Sequence, residues 1–207
     1  MVTHESQIEV SETSPTGQGR LDNVEELLSN AQFLRAVQKS VDEPLLVCGD
    51  FNSPSHLDWT VETRGLHGDW VFEWPVTKLL MSAVGLADSY RVVHPNPLAH
   101  PGITWSTVEK MSSSGWNWQI PEPQDRIDFI FYRTPELFPN VSFTYSGEKE
   151  EVIMPKPYHW LNAYPSDHYA VITVFHYLKK PPFYHLYDTP SEKRVRNTRR
   201  RMMTNLY

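Results

Sequence analysis

Three apolar segments, each with Asp, Asn or His at or next to one end, constrain the fold of this chain more than any other feature. The first, "PLLVCGDFN" at 44–52, is an apolar run that ends in Gly-Asp-Phe-Asn. The second is "RIDFIFYR" at 126–133, and the third, "YAVITVFHYL" at 169–178, directly follows Asp167 and His168. Short apolar runs and alternating patterns predict strands. Polar residues at strand ends are typical of turns, and catalytic groups are also found at such positions.

Two other segments have helical spacing. Apolar residues recur every three or four positions between Leu21 and Val41, where Asp22 and Glu25 fit an N-cap and its partner three residues later. The segment "WPVTKLLMSAVG" at 74–85 predicts a helix with Pro in its first turn and Gly at its end. The remaining strand candidates are short and lie at 103–106, 141–145 and 150–154.

The composition is that of a globular protein. Hydrophobic residues make up 40% and aromatic residues 13% of the 207 residues, which is enough for one domain with a core. The apolar runs are far shorter than a membrane span requires. The single cysteine, Cys48, excludes an internal disulfide, and its place in an apolar strand predicts a buried packing residue.

The formal net charge of −6 is unevenly distributed. Residues 193–201, "KRVRNTRRR", hold six of the 19 Lys and Arg residues and no acid, which leaves 13 basic and 25 acidic residues, a balance of −12. An acidic body argues against a broad nucleic-acid surface, which needs clustered Lys and Arg. The basic run is typical of a solvated tail, although it would also attract an anionic partner such as an anionic lipid surface. We therefore predict one domain at 1–178 and a Pro-containing basic tail at 179–207.

The polar groups at the strand ends gain weight from their order. Each alone is typical of a turn or of the solvent-facing side of a strand. The series consists of Asp50 and Asn52, then Thr104 and Trp105, then Asp125 and Asp128, and then Asp167 and His168. Such a series, with each group at the edge of a predicted strand, is more specific than any single member.

This series resembles the C-terminal half of the endonuclease/exonuclease/phosphatase superfamily over roughly residues 20–178. The segments "GDFNSPSHLDW", "HPNPLAHPGITW" and "DRIDFIFY" are most similar to its phosphodiesterase-like members. The resemblance implies an α+β fold that is part of a four-layer α/β/β/α sandwich. It also implies hydrolysis of a phosphodiester by in-line attack of water, with Mg²⁺, or alternatively Mn²⁺, as the cofactor.

The resemblance implies roles for the polar residues at the strand ends. Asp50 would orient or activate the attacking water, and Asn52 would hydrogen-bond the phosphate. Asp167 would serve the metal ion. His168 would act as a general acid or base, or as a cationic stabiliser of the phosphoryl oxygens. Asp128 would hold the far ring nitrogen of His168 and so fix its tautomer.

Three further residues are predicted to be part of the site. Thr104 and Trp105 are candidate substrate-binding residues. His4 follows Thr3 as in the Thr-His-Leu segment of the superfamily, whose His contacts the scissile phosphate, but Glu5 replaces the Leu. A surface His is an alternative interpretation of His4. No role is predicted for the loop histidines His56, His67, His94, His100 and His159.

The first half of the superfamily fold has no counterpart in this sequence. That half contains a strand that ends in Asn and a strand-borne Glu that is the main metal ligand. Glu5, Glu9 and Glu12 lie in a polar run and are not predicted to replace it. We therefore expect a missing N-terminal half, from a truncated gene model, a fragment or a shortened isoform. The chain alone is expected to be weakly active or inactive, and the alternative function is an inactive fragment that acts as a binding module.

Substrate and location are predicted from charge and from the N-terminal sequence. The acidic body and the ring-rich loops favour a small or lipid-type phosphoester, while stacking on nucleic-acid bases remains an alternative. The opening "MVTHESQIEV" has neither a basic nor an apolar signal region. A cytoplasmic location is expected if this N-terminus is genuine, and secretion if an upstream signal peptide is missing.

Overall fold

The computed structural model describes residues 12–13, 19–67, 69–105, 124–145 and 166–178. His4, the strand candidate at 150–154 and the tail at 179–207 lie outside these residues. The described part of the chain mixes helices with antiparallel strands and is therefore α+β. Its elements are α1 (Arg20–Ser29), α2 (Ala31–Lys39), β1 (Leu45–Asp50), α3 (Pro75–Val84), β2 (Ala87–Asp88), α4 (Ser89–Val93), β3 (Asp128–Arg133), β4 (Leu137–Tyr145) and β5 (Ala170–Tyr177).

The helix predicted from Leu21 onward consists of two helices, α1 and α2, that meet at Asn30. The Asn30 side chain accepts hydrogen bonds from the backbone of Gln32 and Phe33 and so begins α2. The predicted N-cap is wrong, because Gly19 occupies that position. Asp22 lies three residues inside the helix, where its carboxylate accepts from Gly19 N–H at 2.7 Å.

Helix α3 begins and ends where the sequence predicted. Pro75 is its first residue, a position at which the missing N–H costs nothing. Gly85 ends the helix in the left-handed region, at φ 65°, and its N–H donates to Met81 O at 2.9 Å.

The first sheet has the strand order β1–β3–β2, and all its pairs are antiparallel. Phe129 and Phe131 lie on one face of β3 and are buried against the helices, as the alternation predicted. The core on this face also contains Val24, Val37, Val76, Leu80, Val84 and Leu86. The antiparallel register places Asp50 directly opposite Asp128 at one end of the sheet.

The other face of β1 is open, which corrects the prediction that this strand and Cys48 are buried. Leu46 is 47% exposed, and Cys48, two residues later on the same face, is exposed as well. Side chains of a strand alternate between its two faces, so only Leu45 and Val47 reach the helical core.

The second sheet pairs β4 with β5, with an irregular register between Pro139 and Val141. A ring contact between Tyr132 and Phe175, with centroids 5.2 Å apart, joins it to the first sheet. Its outer face carries the exposed apolar side chains of Phe138, Val141, Phe143 and Val174. Within the described ranges, no helix has the length and apolar character needed to cross a membrane.

Candidate active site

The end of β1 forms a tight polar turn. Asn52 has a φ of 50°, a left-handed conformation that Asn adopts more readily than most residues. Its backbone N–H donates to Asp50 Oδ1 at 2.7 Å, and its Nδ2 donates to Asp50 Oδ2 at 3.0 Å. The turn therefore holds the two exposed side chains side by side at the edge of the first sheet.

Asp128 and His168 form a hydrogen-bonded pair next to this turn. His168 Nδ1 lies 2.9 Å from Asp128 Oδ2. A carboxylate oxygen that accepts this hydrogen bond requires a hydrogen on Nδ1, so Nε2 is the ring nitrogen that the contact leaves available. The contact that the resemblance implied between these residues is present, and the catalytic roles of both remain predictions.

Asp50, Asp128 and His168 form a compact cluster. One potential ligand atom from each lies within 4.8 Å of the other two. Their side chains reach solvent, since 25% of His168 and 21% of Asp128 is exposed. Two carboxylates and an imidazole suit a divalent cation. Asp167 is exposed and is not one of the three residues in this cluster, so its metal-binding role remains a prediction.

Thr104 joins the segments that carry Asp128 and His168. Its Oγ1 accepts from the backbone N–H of Ile127 at 3.1 Å and of Asp128 at 3.2 Å. Its carbonyl oxygen accepts from Tyr169 N–H at 2.9 Å. Thr104 is fully buried, so the structure shows it holding the site together, and its substrate-binding role remains a prediction.

Trp105 packs against His168. The ring centroids are 4.6 Å apart and the planes are inclined by 47°. The indole is half-buried, so it covers one side of the imidazole and still reaches solvent. This position, next to the candidate catalytic ring, is compatible with the predicted contact to substrate.

A buried ion network that the sequence did not indicate surrounds Arg126, two residues before Asp128. Arg126 donates to Asp58 Oδ2 at 3.0 Å and to Asp88 Oδ2 at 2.6 Å, and Arg91 Nε donates to Asp58 Oδ1 at 2.7 Å. Burial alone would lower the pKa of Arg126, but the attraction of Asp58 and Asp88 raises it. No local pattern marks these residues as partners, because they meet only in the folded chain.

Asp125 was part of the predicted motif series, but its surroundings were not predicted. Trp59 Nε1–H donates to Asp125 Oδ1 at 2.8 Å, and His67 Nδ1 lies 3.4 Å from the same oxygen. Burial raises the pKa of Asp125 to about 6, against the lowering effect of the Trp59 hydrogen bond. Burial also lowers the pKa of His67.

Glu12 is fully buried, although the sequence placed it in an unassigned polar run. Ser53 Oγ–H donates to its carboxylate at 2.8 Å, and Arg20 lies 3.3 Å from it. Burial raises the pKa of Glu12. Because Ser53 directly follows Asn52, this contact supports the polar turn at the end of β1.

Comparisons with known proteins agree with these motifs. The model of the endonuclease/exonuclease/phosphatase family matches residues 13–168. A Caenorhabditis elegans protein that is described as uncharacterised is 47% identical over 161 residues, which cover 77% of this chain and 49% of that protein. The chain therefore spans about half the length of this relative.

Proposed function

Because this chain belongs to the endonuclease/exonuclease/phosphatase family, we propose that it carries the catalytic residues of a metal-dependent phosphodiesterase. The family is of the phosphoesterase type and generally uses divalent metals. The observation that carries the proposal is the convergence of Asp50, Asp128 and His168 within 4.8 Å. These residues come from the ends of three different strands, which is how a reactive centre is assembled on a rigid scaffold.

The residues present fit a hard divalent cation. Asp50 and Asp128 offer carboxylate oxygens, the ligands that Mg²⁺ prefers, and Asp167 would add a third. A cation bound there would neutralise charge on the phosphoryl oxygens. We favour Mg²⁺, with Mn²⁺ as a substitute.

In the proposed reaction, a water oxygen attacks the phosphorus atom and the bond to the leaving oxygen breaks. Asp50 orients the water and accepts its proton. Asn52 has a second Nδ2 hydrogen beyond the one bonded to Asp50, and this hydrogen binds a phosphoryl oxygen. His168, held through Nδ1 by Asp128, presents Nε2 to the phosphoryl group and, when protonated, delivers a proton to the leaving oxygen.

The test is hydrolysis of bis-p-nitrophenyl phosphate in Mg²⁺, in Mn²⁺ and in EDTA. We expect turnover in the metals and none in EDTA. Asp128→Asn should preserve the fold and lower kcat about 10²-fold or more, because an amide holds the imidazole in the wrong tautomer. Glu43→Gln is the matched control, since it removes an exposed carboxylate near the opposite end of β1. Equal rates for both variants would contradict the proposal.

A phosphoester-binding module without turnover is the second candidate. It is favoured by the small number of carboxylates in the cluster, since two are present and the strand-borne Glu of the superfamily has not been placed. Calorimetry with a phosphodiester and Mg²⁺ separates the two functions. Binding that Asp50→Ala abolishes, together with undetectable hydrolysis, would favour the module.

For the substrate we propose a small or lipid-type phosphoester. Duplex binding needs several accessible cations near the site. Arg91 and Arg126 are instead buried in the ion network. Rates on bis-p-nitrophenyl phosphate, sphingomyelin and plasmid DNA can be compared in Mg²⁺. Preferred nicking of the plasmid, with a steep loss of rate as salt rises, would show that the substrate is nucleic acid.

For the fold we propose the four-layer sandwich, with further strands covering the open apolar faces of both sheets. The exposure of Leu46, Val141 and Phe143 supports this arrangement, because sandwich sheets bury such residues against each other. We expect the isolated chain to bind a hydrophobic dye and to aggregate on heating. Reversible, cooperative unfolding of a monomer without dye binding would contradict the proposal.

For the tail at 179–207 we propose a weak anionic partner, such as an anionic lipid surface. Removal of the tail should abolish binding to vesicles that contain phosphatidylserine and should leave hydrolysis unchanged. Binding that persists after truncation, or that is insensitive to salt, would contradict this role.

A further inference from the structure

Asp125 links two parts of the molecule behind the candidate active site. Its carboxylate accepts a hydrogen bond from Trp59 Nε1–H at 2.8 Å, and the His67 ring stacks on Trp59 with centroids 4.7 Å apart. Its backbone pairs with Trp105, whose N–H donates to Asp125 O at 2.9 Å and whose O accepts from Asp125 N–H at 3.2 Å. Asp125 therefore joins the loop that carries Trp59 to the segment that carries Trp105.

A carboxylate is an expensive group at this position. Only 6% of Asp125 is exposed, and its side-chain contacts in the described ranges are an indole N–H and an imidazole, neither of which is a permanent cation. Burial raises the pKa of Asp125, and the negative charge of Asp58 raises it further. An apolar side chain of similar size would avoid this cost. Packing alone therefore does not explain a hydrogen-bond acceptor at this position.

The segment that Asp125 holds ends against the candidate catalytic histidine. The backbone pairing fixes Trp105, and the Trp105 ring lies 4.6 Å from the His168 ring. A second constraint on His168 is the hydrogen bond between its Nδ1 and Asp128 Oδ2, at 2.9 Å. The imidazole is thus held at Nδ1 by a carboxylate and packs against an indole that is inclined to it by 47°.

We propose that Asp125 is a positioning residue of this site. The hydrogen bond from Trp59 holds the Asp125 side chain, and the backbone pairing of Asp125 then holds Trp105. The Trp105 ring in turn fixes the orientation of the His168 ring. Asp125 itself makes no contact with substrate. This assignment rests on the proposed function, because the task of a positioned His168 is the phosphoester chemistry.

The experiment follows the histidine ring resonances by NMR in metal-free protein, with the His168 resonance assigned from a His168→Gln variant. Trp59→Phe removes the donor to Asp125 and keeps a ring for His67 to stack on. Trp74→Phe is the matched control, since Trp74 packs on Trp59 with centroids 4.9 Å apart and its buried Nε1 has no partner among the described residues. Hydrolysis of bis-p-nitrophenyl phosphate in Mg²⁺ is measured in parallel.

We expect Trp59→Phe to move the His168 resonance, because the ring current of Trp105 changes, and to lower kcat about tenfold with a smaller effect on KM. Trp74→Phe should do neither, even if it lowers Tm equally. Asp125→Ala should behave like Trp59→Phe, whereas Asp125→Asn, which keeps an acceptor for Trp59, should restore the resonance.

Equal effects of Trp59→Phe and Trp74→Phe on the His168 resonance would overturn the positioning role. An unmoved His168 resonance in Asp125→Ala would also overturn this role. Asp125→Ala replaces Trp59→Phe as the test if Trp59→Phe does not fold. A wild-type protein without turnover would overturn the proposed function only, because the resonance still decides whether Asp125 positions His168.

Discussion

The ion network around Arg126 and the cluster around His168 use the same kinds of side chain at different depths. In the network, the side chains of Arg126 and Asp88 are each 1% exposed and that of Asp58 is 8% exposed. In the cluster, Asp128 is 21% and His168 25% exposed. Both groups pair carboxylates with nitrogen bases, so residue type alone does not separate them.

Their hydrogen bonding explains why only one of them suits chemistry. Asp58 accepts from Arg91 and Arg126 on Oδ1 and from Arg126 on Oδ2, so both of its oxygens are occupied by guanidinium groups. Asp50 in the cluster also accepts on both oxygens, but its donors are the neutral N–H groups of Asn52 and it is exposed, so each oxygen keeps a lone pair that a ligand can reach. A saturated buried network fixes geometry, whereas an open, half-buried one can bind and react.

The largest effect should come from the open cluster. His168→Ala and Asp50→Ala should each lower kcat by about 10²–10⁴-fold, because proton transfer and charge stabilisation fail together, while the unfolding free energy changes little. Steady-state kinetics and thermal unfolding measure the two quantities on the same samples. Near-normal rates in both variants would refute the assignment, and a large loss of stability would place these residues with the buried network.

The next largest effect should come from the buried network, and it should be on stability rather than on activity. Arg126→Met leaves Asp58 and Asp88 buried with fewer partners and should lower the free energy of unfolding by about 3–5 kcal/mol. Urea denaturation measures this loss. A stable variant with only kcat reduced would mean that Arg126 acts in the site.

A smaller effect on the free energy of unfolding should follow from the charge on Asp125. Its pKa is raised by burial from 3.8 to about 6, so between these values the folded state binds more protons than the unfolded state, and stability falls as pH rises. Asp125→Asn does not titrate and should gain about 2 kcal/mol over the wild type between pH 4 and pH 7.5. Urea denaturation at both pH values tests this, and a difference that is independent of pH would contradict it.

The smallest effect should come from a surface pair. Lys78 and Glu73 are bonded, but their side chains are 52% and 65% exposed. Lys78→Met should leave the free energy of unfolding nearly unchanged, and high salt should remove any difference that remains. A loss of stability as large as that of Arg126→Met would show that burial does not determine how strongly these ion pairs stabilise the protein.

Much of the site could be predicted from the sequence, because its residue types lie in short motifs. Asp50 and Asn52 follow a predicted strand, and the structure places them in one turn. Asp128 and His168 were expected to pair, and they are bonded. The contacts of His67 with Asp125 and of Glu12 with Ser53 were not predicted, since in each case the partner is distant in the chain.

The sequence by itself determined the local features of this protein. The alternation around Phe129 and Phe131 defined β3 and its buried face, and Pro75 and Gly85 defined the ends of α3. These features follow from side-chain periodicity and backbone sterics, which act over a few residues.

Only the tertiary structure decided which charges are buried and which strand faces stay open. Arg126 meets Asp58 and Asp88 across 68 and 38 residues of chain, and Cys48 is exposed although its sequence neighbours are apolar. Pairing and exposure depend on which segments meet when the chain closes. Long-range packing rather than local preference fixes those encounters, so the same residue types form a rigid support in one place and an open candidate active site in another.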